Sequence, residues 1–432
     1  MTHRPAPEKT GGPEPAVTRN PFTPAAETLL PELRTLRRSL HSRPEVGLHL
    51  PETQRAVLDA LEGLDLEIVT GTSLSSVVAV LRGGAAGDAG GPVVLLRGDM
   101  DALPVEEATG LDFAATNGAM HACGHDLHVA GLVGAAELLH GRRDELPGTV
   151  IFMFQPGEEG FGGGRIMIDE GVLDAAGERP VAAYAIHVDA TTPYGRFVTR
   201  SGPIMAGVST LRIRFEGTGG HAAMPHLAVD PVPVAAQAIL AVQSFAARRI
   251  PAGDPAVITI GPLSSDSSAG NVLARSVSME ANMRHFSEGT LALLRDELPE
   301  LLRGLAKAHG CAATVEFVPS YPATVNDAHE TAEVVTRLSE VHGPERVVTL
   351  AEPAMASEDF SYVLQRVPGT LVFLGALPEG VPPEVAAPMH SEGARFDDGV
   401  LGLHAAALAD LAWNGLERAS APSPVNEAGA SR

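Results

Sequence analysis

Val93-Val94-Leu95-Leu96-Arg97-Gly98-Asp99-Met100-Asp101-Ala102-Leu103-Pro104 is an apolar run that breaks abruptly into an arginine, two aspartates and a proline. Such a run reads as a strand buried on both faces, the building block of parallel sheets. Three further runs share the form, at 150–154, 182–186 and 371–374. Helical spacing of apolar residues recurs at 31–64, 127–140 and 331–340, with Asp126 placed to cap the first turn of the second stretch. Buried strands alternating with helices predict an α/β fold: a mixed, mostly parallel sheet flanked by helices.

Between 205 and 318 the grammar changes. A strand (208–215), a helix (230–249), two strands (256–260, 277–285), a helix (288–309) and a strand (313–318) follow in βαββαβ order, the order of a ferredoxin-like sandwich. Pro299 falls inside the second helix and predicts a kink or break there. Because α/β patterning resumes afterwards, 205–318 reads as a domain inserted into a larger one made of 26–204 and 319–418. The Pro-, Gly- and Ser-rich ends, 1–25 and 419–432, read as disordered tails.

Composition narrows the function. With 53 acidic against 31 basic residues the formal charge is −22, which repels phosphate backbones and anionic lipid. Nucleic acid and membranes are therefore poor partners. Residues 1–25 have no apolar signal core, and the only cysteines are Cys123 and Cys311, so a reducing cytoplasm is the expected compartment.

In open α/β sheets ligands bind past the carboxyl ends of the strands. Ionisable residues collect there: Asp99 and Asp101, Gln155-Pro156-Gly157-Glu158-Glu159, His187, and a late loop with Pro388-Met389-His390. His121-Ala122-Cys123-Gly124-His125-Asp126-Leu127-His128 lies between the first two strands. A lone histidine or carboxylate pair is ordinarily a solvated or hydrogen-bonded residue, but thiolate, imidazole and carboxylate together form the ligand set of zinc and related divalent ions. Glu158 and Glu159, if on an extended loop, would point opposite ways, one towards metal and one towards water. Asp101 enters among the catalytic residues, better suited to orienting a ligand than to binding metal; Asp99 stays open between a loop hydrogen bond and an outer role. His128 and His140 read as structural helix residues, and Cys311 as buried and apolar.

The motifs Leu40-His41-Ser42-Arg43-Pro44-Glu45, Asp99 to Pro104, Met120 to Asp126, Gln155 to Glu159, Gly220-His221-Ala222-Ala223-Met224-Pro225-His226 and Glu358-Asp359-Phe360-Ser361 resemble those of the M20 metallopeptidases. The match is to the aminoacylase, hippurate hydrolase and auxin-conjugate hydrolase subgroup. The resemblance implies two divalent ions, zinc or manganese with cobalt or nickel also fitting, bridged by Cys123 and held further by His125, Glu159, His187 and His390. It implies that Glu158 is the general acid/base and that Asn271 and Arg284 contact the substrate. It also implies that the inserted domain closes over the site and forms a homodimer, or a tetramer, in which the partner subunit's His221 meets the scissile carbonyl oxygen. The implied reaction is hydrolysis of an N-acyl amino acid (acetyl, benzoyl or similar) to a carboxylate and a free amino acid. A dipeptidase or another deacylase of the family is the near rival; an inactive metal-binding regulator is the distant one. Gly157 replaces the subgroup's usual alanine, and Ala274-Arg275 replaces a common Pro-acidic pair.

Overall fold

The computed structural model describes residues 20–87 and 90–421. Four fully buried strand cores form the centre of an eight-stranded sheet, in the spatial order Thr149–Gln155, Val93–Asp99, Ala182–Asp189, Gly369–Gly375. All three neighbour pairs among them are parallel; antiparallel strands on both sides make the sheet mixed, as expected. The register pairs Asp99 with Gln155 and Phe373 with His187, so the carboxyl ends of these strands finish along one edge.

The helices Thr23–His41, His125–His140 and Leu401–Ser420 cover one face around Leu33, Val133 and Leu408. A second cluster with Ile151, Ala185 and Phe373 fills the other face. The expected tail 1–25 is too long: Asn20 and Phe22 are buried, and the Phe22 ring packs edge-on against Trp413 at 5.8 Å. Residues 1–19 of that tail and 422–432 of the other lie outside the described residues, and the last helix reaches Ser420. The expected helical stretch 31–64 is broken into Thr23–His41 and Pro51–Ala60.

The inserted pattern forms its own antiparallel sheet, in the order Val257–Ser265, Ser276–His285, Gly207–Glu216, Ala312–Pro319. The alternating burial of Gly207–Glu216 shows why: one face packs on helices through Leu211, Ile213 and Phe215 while the other meets water. The helices are Pro231–Arg249 and a second one that changes character before Pro299. A π-helical turn at Leu293–Glu297 opens the backbone there, absorbing the clash that a proline ring makes with the preceding turn.

Candidate active site

Cys123 and His125 are brought together by the one residue between them. Gly124 has φ +85°, and a Cβ there would lie 2.5 Å from Val188 Cγ2, so neither the backbone nor the space admits a side chain. Gly124 also precedes the helix in a left-handed conformation, and Asp126 does not cap it. Asp126 instead accepts from Arg37 Nε at 2.6 Å and lies 2.8 Å from His41 Nδ1, anchoring the loop to the first helix.

The five expected metal ligands converge. Cys123 Sγ lies 3.6 Å from His187 Nε2 and 3.3 Å from His390 Nε2. Glu159 Oε1 is 3.1 Å from His390 Nε2 and 3.9 Å from His125 Nε2. His390 is the one non-glycine residue with positive φ, +66°, among the described residues; left-handed backbone outside glycine marks positions that the surroundings hold for a purpose. Its N–H donates to Ala122 O at 3.0 Å, tying the late loop to the cysteine loop.

The donor chemistry fits a cation. His125 Nδ1 faces Asp101 O at 2.8 Å and His187 Nδ1 faces Val188 O at 2.7 Å. Each carbonyl takes the Nδ1 proton and leaves Nε2 with a lone pair towards the cluster. His125 Nε2 and Glu159 Oε1 are buried without hydrogen-bond geometry to any partner, a cost that a bound ion would remove. His128 also lies in the cluster but has no free lone pair: Nε2 accepts from Val188 N at 2.8 Å and Nδ1 donates to Asp99. It holds Asp99, whose other oxygen accepts from Arg97 at 2.5 Å and sits 3.5 Å from His125 Nε2.

Without a cation the cluster compensates its own charge. Burial pushes the Cys123 thiol up, but the His187 and His125 imidazoles outweigh it and hold it down at about 6. Burial lowers His187, yet the neighbouring thiolate raises it to about 9. The Cys123 sulfur and the Glu159 carboxylate beside it raise His390 to about 10. These are the protons that a divalent ion displaces on binding.

Glu158, next to Glu159 in the chain, is buried as well. Burial, with Glu358 and Glu159 close by, pushes its carboxyl well above the usual carboxylate range. The two glutamates do not diverge along an extended segment; they sit in a turn over 158–161. Asp101 fixes that turn, its two oxygens accepting from the backbone N–H of Glu158 at 2.9 Å and of Glu159 at 3.1 Å. Asp101 therefore holds the residues on either side of the chemistry, which favours the orienting role over a catalytic one. Tyr321 Oη donates to Glu158 O at 2.5 Å. Arg97, fully buried, reaches Glu358 at 2.8 Å and Asp359 at 3.2 Å. Sequence reasoning missed Arg97 and Tyr321; Glu358-Asp359 was visible only as a motif. Gly157, at φ +75°, has Leu48 and Phe161 packed where an alanine methyl would stand.

A cleft of about 550 Å³ opens over the cluster, lined by Cys123, Glu158, Glu159, His187, His390 and, from the inserted sheet, Arg284. Arg284 Nη1 is buried without a partner, and its Nε donates to Asn282 Oδ1 at 3.1 Å. His221 and Asn271 are brought to each other and not to the cleft. His221 pairs with Val272, and Ala222 N donates to Asn271 O at 3.1 Å. Both residues are exposed and neither lines the cleft of its own chain.

Comparison with known proteins agrees with this geometry. Thermostable carboxypeptidase 1 of Saccharolobus solfataricus is 36% identical over 382 residues, covering 87% of this chain and 93% of that protein. N-acetylcysteine deacetylase of Bacillus subtilis is 34% identical over 350 residues, covering 79% and 88%. The crystal structure of the Bacillus subtilis YXEP protein, described as a dinuclear metal binding peptidase from the M20 family, superposes with a TM-score of 0.76 at 30% identity, covering 90% of this chain and 99% of that one. Residues 95–414 match peptidase family M20/M25/M40 as a whole, and the chain belongs to that family.

Proposed function

We propose that this chain hydrolyses the amide bond of small N-acyl amino acids, with Cys123, His125, Glu159, His187 and His390 holding two divalent ions, zinc or manganese. The observation that carries the reading is one cleft lined by four of these donors, Cys123, Glu159, His187 and His390, together with the buried Glu158 carboxyl and Arg284, whose Nη1 has no partner; the fifth donor, His125, is buried beside them with Nε2 3.9 Å from Glu159 Oε1. Divalent ions there supply Lewis acidity towards a carbonyl and make water acidic enough to ionise near neutral pH. Glu158 takes the proton of the attacking water and delivers it to the departing nitrogen; its burial beside other carboxylates strengthens its hold on that proton between the two steps. Arg284 is suited to the substrate carboxylate, a planar anion that its fork can bind.

His221 completes the site from a second copy, the partner subunit's His221 donating to the carbonyl oxygen as charge develops on it. Its exposure, and its absence from the lining of its own cleft, support this assignment. A homodimer through the inserted sheet is supported by the open edge strand Val257–Ser265 and by Leu240 and Leu263, 71% and 51% exposed. A reducing, cytoplasmic setting suits two free cysteines; among the described residues no helix is long and apolar enough to cross a membrane.

The second reading is cleavage of the carboxy-terminal residue of a short peptide, favoured by the same Arg284, because a free carboxylate beside the scissile amide is common to both substrates. A panel of N-acyl amino acids and dipeptides, read by release of amine, separates them. Glu158→Gln is expected to keep bound metal while hydrolysis falls by ~100-fold or more; retained activity would remove Glu158 from the reaction.

A further inference from the structure

Tyr321 follows the last strand of the inserted sheet, Ala312–Pro319, by two residues, and it is bonded on two sides. Its main chain is tied to the first strand of that sheet: Val208 N donates to Tyr321 O at 2.8 Å, and Ser320 N donates to Val208 O at 3.2 Å. Its side chain reaches the turn that follows the parallel strand Thr149–Gln155. The hydroxyl, on a residue 6% exposed, donates to Glu158 O at 2.5 Å and accepts from Gly162 N at 3.1 Å, so one oxygen spans the turn that carries Glu158. Burial, with Asp359 and Glu158 close by, pushes the hydroxyl well above the usual phenol range, which keeps it a donor. Val208 has a second neighbour: in the register of the sheet it lies directly opposite Arg284, and directly opposite residues of an antiparallel pair share a face. Tyr321, Val208 and Arg284 thus form one row across the root of the inserted sheet, and all three line the cleft. Asp101 grips the same turn from the end of the strand Val93–Asp99, so its hold is independent of the inserted sheet. The hold of Tyr321 is not.

We propose that Tyr321 is a positioning residue that makes the placement of Glu158 depend on what Arg284 holds. This rests on the hydrolase reading above, in which Arg284 meets the substrate carboxylate and Glu158 moves the proton. An anion at Arg284 fixes the row against the cleft. Val208 carries that position to the main chain of Tyr321, and the hydroxyl carries it on to the Glu158 carbonyl. A base out of place by about 1 Å loses ~100-fold in rate, so a small displacement of the row separates substrates with a carboxylate from those without one. The carboxylate then contributes twice, to binding through the guanidinium and to turnover through Tyr321.

The experiment measures kcat and KM, by acetate release, for N-acetylmethionine and for N-acetylmethioninamide, which lacks the carboxylate, in the metal-loaded parent and in Tyr321→Phe. In the parent the acid is expected to have the lower KM and a kcat ~10-fold or more above that of the amide. In Tyr321→Phe the two kcat values are expected to converge to within about threefold while the acid keeps its KM advantage, because Arg284 is untouched. A tyrosine that only supports the fold would lower both kcat values by the same factor and preserve their ratio. That result, or equal kcat for the two substrates in the parent, would overturn the proposal and leave the hydrolase standing. Hydrogen exchange over 157–163 reads the link without turnover: L-methionine, and not L-methioninamide, is expected to slow exchange there in the parent and to have no effect in Tyr321→Phe. Should neither acetyl compound be hydrolysed, the reaction falls and this exchange decides the link; protection by methionine that Tyr321→Phe removes upholds it, and any other pattern overturns it. Should Tyr321→Phe fail to fold, the parent's kcat ratio and its exchange over 157–163 decide, and the absence of either effect overturns the proposal.

Discussion

Asp101→Asn changes one oxygen to an amide nitrogen and almost nothing else in volume, yet it should disable both halves of the site. The carboxylate, 1% exposed, accepts from the N–H of Glu158 at 2.9 Å and of Glu159 at 3.1 Å. An asparagine keeps one acceptor and turns an NH2 group towards the other N–H. Losing a hydrogen bond to an ionised acceptor and leaving a buried donor facing another donor costs roughly 2–4 kcal/mol. The turn over 158–161 can relieve that only by moving, which carries Glu159 away from Cys123 and Glu158 away from the water it must meet. Metal affinity should fall by ~10–100-fold, as for other groups that hold a ligand, and kcat at saturating metal by ~100-fold, the effect of about 1 Å of misplacement. Metal titration by calorimetry and steady-state hydrolysis of an N-acyl amino acid give the two numbers. A direct proton-transfer role for Asp101 would instead remove one limb of the pH–rate profile and leave metal affinity untouched. Wild-type kcat and wild-type metal affinity together would refute the positioning argument.

Chelation should abolish activity, and restoring zinc or manganese should recover it. At pH 7 the ion should release more than one proton on binding, because His187 is raised to about 9 and His390 to about 10 before it arrives; calorimetry in buffers of different ionisation enthalpy measures this, and no release would contradict the ligand set. His342 is held down at about 4 by burial, helped by Arg346 and Arg337. Its neutral form thus contributes stability above pH 6.5 that is lost as pH falls towards 4. Urea unfolding at pH 6.5 and pH 5 should show that His342→Leu loses on the order of 2 kcal/mol less than the parent, and equal losses would show that His342 titrates normally when folded. Mixing His221→Ala with Glu158→Gln under subunit exchange should restore up to about half of the wild-type rate per heterodimer if each site draws one residue from each chain. No recovery, with exchange verified, would place His221 in its own subunit's site or outside it.

Much of this was legible in the sequence, and the reason is local. Continuous apolar runs at 93–96, 150–154, 182–186 and 371–374 can be satisfied only between two covered faces, and the structure puts all four side by side and parallel. A parallel sheet gathers its carboxyl ends along one edge, so residues just past those runs had to meet, and Asp99, Glu158, Glu159 and His187 do. Misreadings occur where a distant residue outbids a neighbour. Asp126 satisfies every local rule for a helix cap, but Arg37 and His41, from 89 and 85 residues away, take its carboxylate. Phe22 looked like part of a polar tail until Trp413 packed against it.

The same distinction separates the residues expected at the site from those that hold them. A metal ligand announces itself by type, since thiolate, imidazole and carboxylate near strand ends have few other uses in such density. A supporting residue has an ordinary type and acts only through its partner: His128 is a lone histidine on a helix until its two nitrogens are found engaged by Asp99 and Val188. Arg97 is one arginine after a strand until Glu358 and Asp359 arrive from more than 260 residues away. Tyr321 had no signal at all, yet its hydroxyl joins Asp101 in fixing the backbone of Glu158 from the opposite side. Glu158, the proposed base, is thus held through its main chain by two residues, which is why Asp101→Asn tests the arrangement at a point where composition and spacing are silent.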